Sequence, residues 1–212
     1  MAGAVAVSML FAACGGGAET ASTEAPAEAE APAETEAEAP AATMDVTIDT
    51  EASMVGWKGT VAGVKDHTGT LKFTEGTVNM EGDKVAGGSF TVDMASMVAT
   101  DENYDEEHTS EMLIGHLSSP DFFDVANNPT AMFKITGMEG DDVVGELTLH
   151  GKTNPEKVTN VTVSEEGGKK MVSGTMVFNR QNYDVVYGIA GDMIISDDIE
   201  LDIKLVAGEA AM

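Results

Sequence analysis

From Met44 onward the chain alternates apolar and polar side chains. In "IELDIKLV", Ile199, Leu201, Ile203 and Leu205 fall on one face and Glu200, Asp202 and Lys204 on the other. A period of two suits a strand with one buried face and no helix. The pattern recurs for Phe90, Val92 and Met94 in "SFTVDM", for Leu71 with Phe73, Phe133 with Ile135 and Leu147 with Leu149, and for Gly174, Met176 and Phe178 in "GTMVF". Turn-forming residues separate these runs at 81–83, 139–142, 153–156 and 165–170. About eight antiparallel strands in one domain are expected to close into a barrel or pack as a sandwich, because an open sheet would expose two edges. One helix is expected over 105–117, where Met112, Leu113, His116 and Leu117 are spaced for one helical face.

Upstream of this domain the pattern changes twice. Residues 2–13 are apolar and run into Cys14, the sole cysteine. A bilayer span needs about 20 apolar residues, so this segment has the length of a signal-peptide core and not of a membrane helix. "FAAC" resembles a bacterial lipobox, which predicts a signal peptide over 1–13 and lipidation of Cys14. No Lys or Arg precedes Lys58, so the start of the signal peptide is expected upstream of Met1. Residues 18–43 contain only Ala, Glu, Thr, Pro and Ser, with nothing large enough to enter a core. Residues 14–43 are therefore read as a lipidated, disordered acidic linker and 44–212 as the folded domain. The expected location is extracytoplasmic, in a bacterial cell envelope, with the lipid anchor holding the chain to a membrane on its periplasmic or outer-membrane side.

Charge and reactive groups narrow the function. With 37 acids against 11 bases the net charge is −26, which repels nucleic acid. Asp101, Asn103 and Asp105 have the spacing of the first ligands of a calcium loop. The sixth position is Glu106 instead of Gly and the twelfth is Met112 instead of Glu, so no metal site is expected. His67, His108, His116 and His150 are scattered, and no Ser sits in a G-x-S-x-G turn. No catalytic residue is nominated, and the protein is read as a non-enzyme. Arg180, the only arginine, is expected to pair with a nearby acid such as Asp184.

Three stretches in order, "HLSSPDFFDVANNPTAMFKI", "VVGELTLHGKT" and "FNRQNYDVVYG", resemble the YceI-like family of polyisoprenoid-binding proteins over residues 45–207. The resemblance rests on His116, Leu117, Asp121, Phe122, Phe123, Pro129, Phe133 and the run Gly145–Thr153; Lys152 and Glu156 depart from the family pattern. It implies an all-β, extended, antiparallel, lipocalin-like barrel with one short helix. Its tunnel would hold an isoprenoid lipid, polyprenyl or quinone-like, with no other cofactor. The alternating faces nominate Trp57, Phe73, Phe90, Val92, Met94, Phe133, Leu147 and Phe178 as inward and thus as ligand-binding residues, with Phe122 and Phe123 in a loop at one tunnel end. The alternative is a structural or stress-related surface lipoprotein whose interior is solidly packed. The oligomeric state, a homodimer included, is left open.

Overall fold

The computed structural model describes residues 43–62, 65–188 and 194–208. Cys14, the signal segment and the linker up to residue 42 lie outside them. Nine antiparallel strands occur in chain order: β1 (Thr43–Thr47), β2 (Met54–Val61), β3 (Lys65–Glu81), β4 (Lys84–Ala99), β5 (Thr130–Glu139), β6 (Asp142–Leu149), β7 (Lys152–Glu166), β8 (Lys169–Asn179) and β9 (Asp198–Val206). One helix, α1 (Ser110–Ser118), lies between β4 and β5. Each strand from β3 to β9 pairs with the next, and β2 pairs with both β3 and β9, so eight strands form a closed ring.

β1 makes no ninth position in that ring. It pairs with the far half of β3, Thr43 opposite Glu81 and Thr47 opposite Thr77, while β2 pairs with the near half, from Met54 opposite Lys72 to Val61 opposite Lys65. The two strands are one stave broken at residues 49–53. Asp49 Oδ1 accepts the amides of Glu51 and Ala52, and buried Ser53 accepts the amide of Val206 on its Oγ at 2.9 Å. The hydroxyl thus replaces a ladder bond that the break removes.

Bulges explain where simple alternation fails. On β3 the inward side chains are Leu71 and Phe73, then Val78 and Met80; the parity changes at the register shift between Phe73 and Glu75. On β7 the same happens between Thr159 and Thr162, where Asn160 adopts φ 53° and the inward set moves from Val158 to Val161. An extra residue bends and twists the strand, which long staves need in order to coil around a barrel.

Two expected boundaries move. The turn expected at 153–156 is strand: Thr153 to Glu156 pair with Thr148 to Gly145. The chain reverses earlier, at His150 and Gly151, whose φ values of 49° and 71° make a two-residue hairpin turn. The helix begins at Ser110 and not at 105, because Asp105 Oδ1 accepts the amides of Glu107 and His108 in a tight turn of its own. Thr109 then caps the helix by accepting the amide of Met112, and Ser119, extended before Pro120, ends it.

Interior glycines seat large side chains. A Cβ on Gly69 would lie 1.9 Å from the Val98 carbonyl oxygen and 2.4 Å from the Trp57 ring. Gly137 by contrast has nothing nearer than Val144 Cγ2 at 3.8 Å. Gly69→Ala is expected to lower stability by about 1–3 kcal/mol through overpacking. Gly137→Ala should leave it unchanged or raise it by up to about 1 kcal/mol. Urea denaturation of both variants checks this, and equal midpoints would contradict it.

Candidate functional site

The ring of eight strands encloses a cavity of about 230 Å³ whose free surface is carbon. Val92, Phe133, Ile135, Leu201 and Ile203 point into it, yet each is only half-buried by its neighbours because it faces a hollow. Trp57, Phe73, Phe90, Met94, Leu147 and Phe178, together with Val92 and Phe133, all lie in its wall. All eight residues nominated from alternation are thus brought together on one continuous surface.

One end of the cavity is covered by α1 and the loop after it. Leu113, Leu117, Phe122 and Phe123 face the hollow. Ser119 holds the loop by accepting the amides of Phe122 and Asp124 on its carbonyl, and Asp124, at φ 43°, accepts those of Asn127 and Asn128. His116 stands edge-on to Phe122 at 5.0 Å and to Tyr187 at 4.7 Å, a ring cluster that ties the α1 loop to the segment after β8.

Arg180 fixes that segment. It is 3% exposed and donates to the carbonyls of Val185, Tyr187, Ser196 and Ile195 and to Asp197 Oδ1 at 3.0 Å. The expected pair with Asp184 does not form. Asp184 sits at φ 59° at the end of the short 3₁₀ turn Arg180–Tyr183, and its carboxylate meets Lys152 at 2.8 Å. Beside it Tyr183, fully buried, donates its hydroxyl to Glu156 at 2.8 Å. Burial pushes the Glu156 carboxyl above its usual range against the opposing effect of that hydrogen bond.

A polar network invisible to the motif search lies at the α1 end. His67 lines the cavity, and its Nδ1 is 3.2 Å from Asp101 Oδ1. Asp101 also accepts the Thr68 amide, the Tyr104 hydroxyl and the Asn103 amide. Burial works against the charged carboxylate, but these donors outweigh it and hold Asp101 at about 2. His67 shares the odd-numbered parity of Leu71 and Phe73, which is the one sequence signal that it faces inward. Trp57 Nε1 is buried with no acceptor. An orphaned buried donor costs about 1–3 kcal/mol and is uncommon enough in folded proteins to need a reason.

Comparison with known proteins follows the same outline. The profile of the YceI-like domain matches residues 46–207. A UPF0312 protein of Pseudomonas savastanoi pv. phaseolicola is 32% identical over 179 residues, covering 77% of this chain and 86% of its own. One from Pseudomonas putida strain W619 is 28% identical over 177 residues, covering 78% and 85%. Among solved structures, BcnA of Burkholderia cenocepacia superposes with a TM-score of 0.62 at 25% identity, over 76% of this chain and 99% of BcnA. A polyisoprenoid binding domain from Saccharophagus degradans gives 0.51 at 15% identity, over 76% and 96%, and shares the fold.

The Asp101 network sets a pH dependence. Its folded value of about 2 lies below the ordinary 3.8, so its contribution to stability is complete above the ordinary value and is lost as pH falls toward the folded one. The gap in urea midpoint between wild type and Asp101→Asn should stay constant down to about pH 4 and narrow below it. A gap that persists unchanged to the lowest pH at which both proteins fold would rule the network out as its source.

Proposed function

The chain belongs to the YceI-like domain family, and on that premise we propose that it is an extracytoplasmic lipoprotein whose barrel binds one long isoprenoid lipid, polyprenyl or quinone-like, and carries it without chemical change. The observation that carries this reading is the apolar hollow of about 230 Å³. A barrel of eight strands has an interior that side chains can fill completely or that can hold one slender ligand. Apolar cavities of about 150 Å³ stay dry and accept small hydrocarbons, because their lining atoms lack dispersion partners on one side. A chain of isoprene units would supply those partners along the wall formed by Phe90, Val92, Phe133, Leu147 and Ile203.

The hollow disfavours the alternative of a packed structural barrel. Carriage without chemical change is the reading that suits a cavity whose free surface is apolar. Lipoprotein tethering is carried by the sequence around Cys14, as an anchor that keeps the barrel beside a reservoir of lipid.

Native mass spectrometry of protein from its host's envelope should reveal a bound isoprenoid, and lipid-free protein should take up polyprenol. Failure of both would remove the carrier reading. Val92→Phe should lower lipid uptake several-fold while leaving the thermal midpoint equal or higher, since the ring fills empty space; in a packed barrel the same change would cost about 1–3 kcal/mol. Mass analysis of the envelope-bound chain should show a diacylglycerol-modified Cys14 at its amino terminus, and an unmodified Cys14 within a longer chain would exclude the anchor.

A further inference from the structure

We propose that the cavity reads the tail of its ligand and not the head group. It takes amphiphiles with one slender isoprenoid chain and leaves the alcohol, quinone or phosphate that ends the chain in water outside the barrel. The proposal rests on the carrier reading and states what that carrier selects. The free surface of the hollow is carbon throughout, although four residues of its wall have polar side-chain atoms: Trp57, His67, Ser173 and Arg180. Each has those atoms engaged or enclosed by the protein. Ser173 Oγ shares a hydrogen bond with Thr162 Oγ1 at 2.7 Å, and His67 sets Nδ1 against Asp101 at 3.2 Å. Arg180 directs its guanidinium to the carbonyls of Val185, Tyr187, Ser196 and Ile195 and to Asp197. Trp57 Nε1 is shut in by surrounding atoms.

A hydroxyl, carbonyl or phosphate drawn into this hollow would give up its water and find no donor or acceptor in exchange. Each methyl and methylene, by contrast, leaves water and gains contact with the wall. The two ends of an amphiphile are therefore driven apart, tail inward and head outward, and the head adds nothing to the choice of ligand. Selection falls to the length and width of the tail. Ile199 and Leu205 both line the hollow and are joined by unbroken register between β9 and β8, a distance of about 20 Å along the strand. With strands tilted by about 35–45° to the axis, that leaves roughly 15 Å along the barrel, room for several isoprene units end to end. The width of an eight-stranded barrel admits one slender chain, so a two-tailed phospholipid does not fit and a short terpene leaves much of the wall bare.

Native mass spectrometry of lipid-free protein with pairs of lipids in competition, each kept below its aggregation threshold, reads the two ends separately. Geranylgeraniol, its methyl ether and its monophosphate are expected to bind within about threefold of one another. Geranylgeraniol should bind at least about tenfold more tightly than geraniol, because two more isoprene units leave water. A geranylgeranyl amine with a nitrobenzoxadiazole label on its head should match the alcohol within the same factor of about three. Dithionite should bleach the bound label within about threefold of the rate for the free one, since the head stays in water. A preference beyond that factor for any head, a label protected from dithionite, or less than tenfold between geraniol and geranylgeraniol would overturn recognition by the tail alone. Each of these results leaves the carrier reading standing. Absence of binding by every compound would remove the carrier reading and this inference with it.

Discussion

Closure of the sheet through β2 is the constraint on which the rest depends. Because β2 pairs with β3 along one edge and with β9 along the other, the eight strands close on themselves. The backbone ladder then holds the wall independently of what fills it. An open sheet must bury its inner face against another layer, and a hollow there would collapse. Here Phe133 and Leu201 can keep area exposed to an empty interior because the strands that carry them are held on both sides.

The same closure explains what could be read from the chain. Alternation located the inward residues correctly on β6, β8 and β9, where pairing to at least one neighbour runs without a shift, as Leu147, Met176 and Leu201 show. It was blind to the parity changes on β3 and β7, because a bulge is set by the curvature of the whole ring and not by local residue type. The proline in "TNPE" suggested a turn, yet Pro155 stands within β7 opposite Glu146. His150 and Gly151 carry a weaker signal and make the actual reversal. Whether the interior is packed or hollow leaves no trace in the pattern, since both need the same apolar faces; the difference is one of summed side-chain volume across strands distant in sequence.

Polar residues of this barrel work mainly as clamps on its connections. Arg180 spends its donors on backbone carbonyls of the segment that follows it, and Asp101 gathers donors from β3 and from its own loop. Proximity in sequence favoured Asp184 as the partner of Arg180. The left-handed backbone at Asp184 instead leaves its carboxylate with Lys152, while Asp197 comes from the far side of the connection. The large excess of acid therefore hides a few carboxylates with fixed tasks among many that only keep the surface wet.

Trp57 is the sole tryptophan, and its indole forms part of the cavity wall against Gly69. Its excited state therefore reports on a single environment, with no second indole to blur the signal. An N–H without an acceptor in a dry surround leaves the emission governed by whatever dipole next comes within reach. The barrel thus carries its own optical gauge of occupancy, built into the wall and needing no attached label.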